Sequence, residues 1–330
     1  MNMIQPATRC TVICIAATPD EQPPDQYPTR PGEAFDPLWL QSPATLNRTR
    51  LADLPGAETE WVGRRAFDLL SLEALGQLPS GQAADVFGRR LGHLVATLHR
   101  GARSEPESSH WRQKYLEYWS TIEEVWLAGG LAARLCERMV DVARTEARRL
   151  GAGGVDIRLA RYPSVLPLIG AARSNLSARE VASVFDFGHS QIKRGIAHYS
   201  GQTLVELELL APLDAPLESQ DALASVISAL ERTGARGAVI ASIASYVGRD
   251  GRLVESHSRY ASVTPDAIQS AIPWIQPRLG HDGTLAACGI LPQSRPAAVI
   301  MLGTALGVGF APPADSLRPP SARFRAATNG

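Results

Sequence analysis

Apolar residues recur along the chain with two periods, one typical of strands and the other typical of helices. Short runs rich in β-branched residues and bounded by turn residues predict buried strands. Longer segments with apolar residues every three or four positions predict helices. The predicted strands are residues 11–17, 124–130, 155–160, 203–210, 238–245 and a strand that starts at 297, and the predicted helices are residues 66–78, 82–99, 131–150, 221–233 and 266–272. The Pro- and Arg-rich residues 311–330 predict a loose tail.

The stretch 184–197 (VFDFGHSQIKRGIA) predicts a hairpin with a polar tip. Two apolar strands flank a turn at Gly188, and the next strand extends the pair to a three-stranded meander. The carboxylate of Asp186 can hold Mg²⁺, and Gly188 lets backbone N–H groups approach phosphate oxygens. Ser190 adds a hydrogen-bond donor and Lys193 adds a positive charge. The stretch is therefore either a phosphate-and-metal loop or an ordinary hairpin with a polar tip.

Two other stretches place glycines directly after a predicted strand. Gly129 and Gly130 separate a strand from a helix, so that a backbone or a flat ligand can approach. Tight packing of a strand against a helix is the commoner use of such a pair. Gly303, Thr304 and Gly307 follow the strand that starts at 297, and a turn of this kind presents N–H donors to a β- or γ-phosphate.

Asp282 directly precedes a run of small residues, 283–289, which predicts the start of a helix. An acid in this place lies at the positive end of the helix dipole. Capping of the helix is one sufficient explanation for it. The resemblance described below gives a second explanation, in which the acid is catalytic.

The composition excludes several classes of protein. With 330 residues the chain can form two domains with a buried core. The charges of its 33 basic and 33 acidic residues cancel, so a nucleic acid is not expected as a partner. The apolar residues 10–17 are too few to span a bilayer, so a membrane is not expected as a partner either. No signal peptide is predicted. The cysteines lack the spacing of a zinc site and are predicted to be buried thiols in a reducing cytoplasm. They are Cys10, Cys14, Cys136 and Cys288.

Four stretches together resemble one family. The pattern Asp-x-Gly-x-(Ser/Thr)-x-x-Lys at 186–193 resembles the first phosphate motif of the actin-like ATPase and sugar-kinase superfamily, in which the bacterial ROK sugar kinases are most similar. Residues 279–289 resemble the Asn-Asp-x-x-x-Ala-Ala motif of that family, although His281 replaces the usual Asn. Residues 297–310 resemble its second phosphate motif, and the strand, glycine pair, helix and strand at 125–172 resemble its adenosine-binding end.

The resemblance implies a two-domain actin-like ATPase fold of the ribonuclease H-like α/β class, with mixed five-stranded sheets flanked by helices. It implies ATP and Mg²⁺ as cofactors, and Asp186 as the residue that organises Mg²⁺. It also implies that Asp282 is the general base that takes the proton from a sugar hydroxyl. The implied phosphate-binding residues are Gly188, Ser190, Lys193, Gly303, Thr304 and Gly307, and Gly129 and Gly130 would flank the adenine.

The order of the motifs differs from that of the family, because the adenosine-like unit precedes the first phosphate motif. A circular permutation accounts for this order, and it is tolerable where the termini lie near each other at the surface. The predicted nucleotide domain combines residues 1–175, which include a Pro-rich loop at 19–43, with residues 292–330. The second predicted domain, 181–291, carries the first phosphate motif and the catalytic acid. Residues 175–179 are the predicted linker.

The predicted function is that of an ATP- and Mg²⁺-dependent phosphotransferase that phosphorylates a hydroxyl of a sugar or polyol. The alternative is a catalytically inactive kinase-like regulatory protein that binds a nucleotide or a sugar. The lack of the family's Glu-x-Gly-His element and zinc-binding cysteines favours this alternative, whereas the joint presence of Asp186, Lys193 and Asp282 opposes it. An actin-like filament protein is a more distant alternative. A homodimer is compatible with the predicted function.

Overall fold

The computed structural model describes residues 70, 73–77, 80–101, 118–178, 180–216, 218–244, 247, 259–291, 295–303 and 306–328. The helices in these ranges are α1 (Gln82–Gly101), α2 (Gly130–Arg149), α3 (Leu166–Ser174), α4 (Ala222–Arg232), α5 (Pro265–Ala271) and α6 (Asp282–Cys288). The strands are β1 (Glu124–Ala128), β2 (Asp156–Leu159), β3 (Val181–Phe187), β4 (Gln191–Ser200), β5 (Thr203–Asp214), β6 (Gly237–Ile243), β7 (Ile275–His281), β8 (Ala297–Leu302), β9 (Leu306–Phe310) and β10 (Pro320–Ala327). The predicted strand at 11–17, the Pro-rich loop at 19–43 and most of the predicted helix at 66–78 lie outside the described residues.

Six of these strands form one mixed sheet in the order β10-β5-β4-β3-β6-β7. The predicted meander is confirmed, because β3, β4 and β5 pair antiparallel. On the other side of β3, β6 runs parallel to β3, and β7 runs parallel to β6. The chain passes through α5 between β6 and β7, since parallel neighbours need a crossover connection. The carboxyl ends of β3, β6 and β7 therefore meet at one edge of the sheet.

Helices cover both faces of this sheet, because successive residues of a strand point to opposite faces. On one face, Phe185, Phe187 and Ile243 belong to a buried apolar cluster with residues of α4 and α5. Full burial of such a side chain stabilises a fold by about 1.5 to 3 kcal/mol. On the other face, α3 and α6 pack against β3, β6 and β7. Each face is thus closed by its own pair of helices.

The helices α3 and α6 approach each other unusually closely through two glycines. A Cβ atom at Gly170 of α3 would lie 1.5 Å from the carbonyl oxygen of Leu285 in α6. A Cβ atom at Gly289, which follows α6, would lie 2.5 Å from the carbonyl oxygen of Leu166. Real Cβ contacts are never this short, so the two backbones can pack in this way only while both positions are glycine.

We expect Gly170→Ala to destabilise the fold by about 2 kcal/mol, because the added methyl group forces α3 and α6 apart. Gly154 is the matched control, since a Cβ atom there meets nothing within 4 Å. Gly154→Ala should change the free energy of unfolding by about 0.5 kcal/mol or less. Urea denaturation of the two variants measures both values. Equal stability of the two variants would contradict the close contact between the helices.

The second sheet has four strands in the order β2-β1-β8-β9, and β1 is parallel to both β2 and β8. Glu124 begins β1 and is 1% exposed. Its carboxylate accepts a hydrogen bond from Nε1 of Trp126 at 3.2 Å and lies 3.6 Å from Arg158 and 3.5 Å from Arg295. A buried carboxylate is unfavourable unless it is paired, and the two arginines provide that pairing here.

Two helices of 20 residues each, α1 and α2, pack closely together next to this sheet. A Cβ atom at Gly88 of α1 would lie 2.6 Å from the carbonyl oxygen of Met139, and one at Gly92 would lie 2.4 Å from that of Ala143. The two glycines, four residues apart, therefore lie on the face of α1 that contacts α2. No helix in the described ranges is both long and apolar enough to cross a bilayer.

The described residues divide into two compact units. Unit 1 takes those within Val165–Leu291 and Gly309–Gly330, and unit 2 takes those within Pro19–Ser164 and Pro292–Val308. The predicted division placed α3 and β10 in the nucleotide domain. In the structure, α3 packs against β3 and β6, and β10 pairs with β5. Both elements thus belong to unit 1 by their contacts.

Three other details differ from the predictions. The α/β class with mixed sheets and flanking helices is confirmed, but the sheets contain four and six described strands rather than five each, because β10 extends the meander. The predicted loose tail contains β10, and its pairing with β5 orders the backbone. Cys136 is exposed on α2, so the prediction of buried thiols is wrong for this residue, whereas Cys288 is buried. The other two cysteines, Cys10 and Cys14, lie outside the described residues.

Candidate active site

The candidate site lies at the carboxyl ends of three parallel strands of unit 1. The register pairs Asp186 of β3 with Ser242 of β6, and one residue further Phe187 pairs with Ile243 and Ile243 with His281 of β7. In open α/β sheets, ligands bind in the crevice outside such strand ends. The polar side chains at these ends are therefore candidates for catalysis or ligand binding.

Asp186 is buried, with 6% of its surface exposed, and both of its carboxylate oxygens have partners. The hydroxyl of Ser242 donates to Oδ1 at 2.9 Å. The ammonium group of Lys193, directly opposite on β4, lies 3.4 Å from Oδ2. Burial of a carboxylate is unfavourable unless such partners contact it. Two residues predicted for metal and phosphate binding are thus in contact with each other.

The tip of the hairpin is held through its main-chain carbonyl groups. Gly188 closes the turn by donating its N–H to the carbonyl oxygens of Asp186 and Gln191, each at 3.1 Å. The hydroxyl of Tyr260 donates to the carbonyl oxygen of Gly188 at 2.7 Å, and Arg259 donates to that of His189 at 2.6 Å. The next residue, Ser190, is exposed at the tip. Hydrogen bonds to its carbonyl groups therefore hold the backbone of the predicted phosphate loop in place.

Asp282 begins α6, immediately after the end of β7. Its Oδ1 accepts the N–H of Gly283 at 2.6 Å and lies 3.2 Å from Nε2 of His281. Burial raises the pKa of Asp282 above the usual 3.8, and the charge of Asp186 raises it further. His281, the N–H of Gly283 and His189 oppose this rise in the pKa. A carboxylate with a raised pKa is a stronger base, and a base near neutral pKa is the most effective in catalysis.

Asp282 lies in the first turn of α6 but is not its N-cap residue. The residue at the N-cap position of α6 is His281, and its side chain makes no capping hydrogen bond. The bond from Gly283 to Asp282 joins adjacent residues, whereas a capping side chain accepts an N–H two or three residues further on.

Two more ionisable groups of the site have shifted pKa values. Burial and the neighbouring Arg259 lower the pKa of His189 below its usual 6.5, and Asp282 opposes this shift. Burial raises the pKa of Tyr260, Asp186 raises it further and Arg259 opposes the rise. Tyr260 thus keeps its proton and remains a hydrogen-bond donor to the loop.

The predicted glycines of unit 2 have different environments. Gly129 has a φ of 95°, and a Cβ atom there would lie 2.2 Å from the carbonyl oxygen of Leu302, so close packing of β1 on β8 already requires glycine. Gly130 begins α2 with open space around it. Gly303 follows β8, and Gly307 is buried within β9 rather than in the turn.

Five predicted site residues thus lie in unit 1, and the other described ones lie in unit 2. Asp186, Gly188, Ser190, Lys193 and Asp282 all belong to unit 1. The predicted residues in unit 2 are Gly129, Gly130, Gly303 and Gly307. Thr304 lies outside the described residues.

The sequence interpretation missed three residues of the site, Ser242, Arg259 and Tyr260. The register between β3 and β6 places Ser242 next to Asp186. The two strands are 50 residues or more apart in the chain, so a local pattern does not show this contact. A serine inside the apolar run 238–245 was the one available signal. For Arg259 and Tyr260 the sequence offers no recognisable motif.

Comparison with known proteins adds no family or relative to this picture. No family model matches the chain, and no curated protein matches it significantly. The geometry of the site and the resemblance of the motifs therefore carry the functional argument.

Proposed function

We propose that the protein is an ATP- and Mg²⁺-dependent phosphotransferase that acts on a hydroxyl of a sugar or polyol. The observation that carries the proposal is the position of Asp186, Lys193 and Asp282 at neighbouring strand ends of one sheet. Asp186 and Asp282 are far apart in the chain, yet the charge of Asp186 raises the pKa of Asp282. Two carboxylates and an ammonium group at neighbouring strand ends suit phosphoryl transfer, which depends on positioning and charge.

The topology of unit 1 supports this proposal. A three-stranded meander, with two further strands parallel to its first strand, is compatible with the ribonuclease H-like fold of the actin-like ATPases. In unit 2, β1 comes early in the chain but pairs with β8 from its end. That pairing is what a circular permutation of the two-domain fold would produce. The actin-like fold and the permutation are part of the proposal.

Asp282 is the proposed general base. Its carboxylate takes the proton from the acceptor hydroxyl, whose oxygen then bonds to the terminal phosphorus of ATP while the bond from that phosphorus to ADP breaks. The raised pKa of Asp282 strengthens its affinity for this proton. The side chain is 22% exposed, so a hydroxyl can reach it.

Magnesium would be held by one protein carboxylate, that of Asp186, whose oxygens also contact Ser242 and Lys193. The described residues contain no group of three or more His, Cys, Asp or Glu side chains that could hold a metal ion. Mg²⁺ does not need such a group, since it is commonly bound by one or two carboxylates together with substrate phosphates and water. The Asp186 carboxylate is the proposed ligand. Bound magnesium would offset negative charge on the phosphate oxygens.

The remaining residues of the hairpin are proposed to bind phosphate. Arg259 and Tyr260 hold the carbonyl groups of the tip, and this fixes the direction of the neighbouring N–H groups. Ser190 and Lys193 supply a hydroxyl and a positive charge next to them. Backbone N–H groups in a fixed turn are an established way to bind an anion.

The proposal is tested by incubating the full-length protein with Mg²⁺-ATP and a panel of sugars, amino sugars and polyols. The expected result is ADP release that depends on one class of acceptor and is negligible without it. Binding of ATP without ADP release for any acceptor would overturn the phosphotransferase and favour the kinase-like binding protein. Absence of ATP binding, measured by calorimetry, would overturn both.

A further inference from the structure

His281, the residue before the proposed base, contacts that base and is itself buried. His281 ends β7 and is 7% exposed. Its Nε2 lies 3.2 Å from Oδ1 of Asp282, and its Nδ1 lies 3.5 Å from Oγ1 of Thr284. Both ring nitrogens therefore face a polar group that comes from the start of α6.

These contacts are mutually consistent in one tautomer of the ring. Nε2 is the ring nitrogen in contact with the carboxylate, and Nδ1 can accept from the hydroxyl of Thr284 when the ring proton is on Nε2. The hydrogen bond made by one ring nitrogen of a histidine sets the role of the other. Thr284 thus favours the tautomer with the proton on Nε2, the nitrogen next to the carboxylate.

The two oxygens of Asp282 consequently differ. Oδ1 faces both the N–H of Gly283, at 2.6 Å, and the ring of His281. No described residue makes a hydrogen bond to Oδ2 among the contacts of this carboxylate. An oxygen that accepts one N–H and has a ring nitrogen 3.2 Å away is the less accessible of the two, so the other oxygen is the one that remains for a substrate.

We propose that His281 is a positioning residue for the proposed base: it holds Oδ1 of Asp282, so that Oδ2 takes the proton from the acceptor hydroxyl. This inference rests on the proposed function. It deepens that function by assigning the reactive oxygen atom and by giving a role to the histidine that stands where the sugar kinases have Asn. A residue that holds and orients a reactive group in this way is worth about tenfold to a hundredfold in activity.

Charged groups other than His281 also affect the pKa of Asp282. Asp186 and His189 of the hairpin influence the protonation of Asp282, and Arg259 acts on His189 in turn. These groups are unchanged in variants of His281. A comparison of such variants therefore isolates the effect of the ring on Asp282.

The test uses two substitutions that differ in one property. His281→Gln keeps an N–H donor at the distance of Nε2, whereas His281→Leu fills a similar volume without a donor. We expect His281→Leu to lower kcat by about tenfold to a hundredfold with little change in KM for ATP, and His281→Gln to retain most of kcat. We also expect the acidic limb of the kcat–pH profile to move to higher pH in His281→Leu, because loss of a donor raises the pKa of a carboxylate.

Two results would overturn the inference: an equal loss of kcat in both variants, or wild-type kcat and pH profile in His281→Leu. Thr284→Val is a milder variant that removes only the hydroxyl opposite Nδ1, and it serves if His281→Leu does not fold. It should lower kcat less than His281→Leu and move the acidic limb in the same direction. A wild-type profile in Thr284→Val would then contradict the inference.

A second measurement separates this inference from the proposed function. Carbon-13 NMR follows the titration of the Asp282 carboxyl group without any acceptor or ATP. If wild-type protein releases no ADP with any acceptor, the proposed function fails, but the titration still applies. Titration of Asp282 at higher pH in His281→Leu than in wild type and His281→Gln supports the contact. The same titration in all three proteins overturns it.

Discussion

Asp282→Asn is expected to lower kcat for phosphoryl transfer by about a hundredfold to ten-thousandfold, because the amide cannot take a proton from the acceptor hydroxyl. The affinity for ATP should remain, since the amide has nearly the shape of the carboxylate and its oxygen can still accept the N–H of Gly283. Single-turnover measurements of ADP formation, together with calorimetric titration of ATP, give the two quantities separately.

The same substitution is expected to make the folded protein more stable at neutral pH. The pKa of Asp282 in the folded protein is raised from 3.8, so the folded state binds this proton more tightly than the unfolded state. The free energy of unfolding therefore falls as pH rises from the unfolded pKa through the folded one, and the loss persists above it. Asn carries no charge, so the variant avoids this loss. Thermal unfolding between acidic and neutral pH measures the difference.

Asp214→Asn is the matched control, because Asp214 is an exposed acid at the end of β5 in the same unit. It should leave kcat unchanged. Catalysis at the wild-type rate by Asp282→Asn would remove Asp282 from the mechanism. A variant that is less stable than wild type at neutral pH would contradict the unfavourable burial of the charge.

Arg318→Met is expected to lower the free energy of unfolding by about 3 kcal/mol or more, because several buried carbonyl groups lose their donor together. Arg318 is 1% exposed and has no carboxylate partner among its contacts in the described residues. Its guanidinium lies 4.5 Å from the centre of the Tyr199 ring. Its nitrogens donate to the carbonyl oxygens of Asn175, Leu176, Ala178 and Gly201.

The carbonyl groups that accept from Arg318 lie mainly in one segment of the chain. Three of the four lie in the segment 175–178, which corresponds to the predicted linker. Arg318 thus ties the segment between α3 and β3 to the residues that lead into β10. Met fills much of the same volume but provides no donor, so loss of stability reports the hydrogen bonds rather than a cavity.

Arg323→Met controls for the loss of a positive charge, because Arg323 is exposed on β10. Its free energy of unfolding in urea should stay within about 0.5 kcal/mol of wild type. If both substitutions have the same effect, the buried hydrogen bonds of Arg318 do not stabilise the protein. If neither has an effect, the linker is not held by this residue.

The predictable part of the fold is the part encoded by local signals. The hairpin at β3 and β4 follows from two apolar runs around Gly188, and both Asp186 and Lys193 come with it because they lie within eight residues of each other. The start of α6 at Asp282 follows from the small residues after it. These positions required no knowledge of the tertiary structure.

The sequence did not predict β7 and β10, and both lie at an edge of the six-stranded sheet. Pro277 interrupts the apolar pattern of β7, and proline is tolerated in a strand chiefly at an edge. The sequence around β10 is rich in Pro and Arg, and only its pairing with β5 makes it a strand. In both cases the decisive interaction is with a strand distant in sequence, which a local pattern does not contain.

Several residues of the candidate site were also unpredictable from local sequence patterns. Ser242 contacts Asp186 because β6 pairs with β3, and Arg259 and Tyr260 contact the hairpin from about 70 residues further along the chain. For Gly129 the local signal was correct but ambiguous. Its positive φ and the short distance to Leu302 show a packing requirement, which the sequence could not distinguish from a ligand site.

The parallel strand β10 covers the outer edge of β5, which is the longest strand in the described part of the chain with 12 residues. An uncovered strand of this length presents unpaired N–H and C=O groups to any other chain with an exposed edge. Loss of β10 would therefore expose the edge of β5 as a template for pairing with another chain. β10 thus keeps the backbone groups of that edge paired within the sheet.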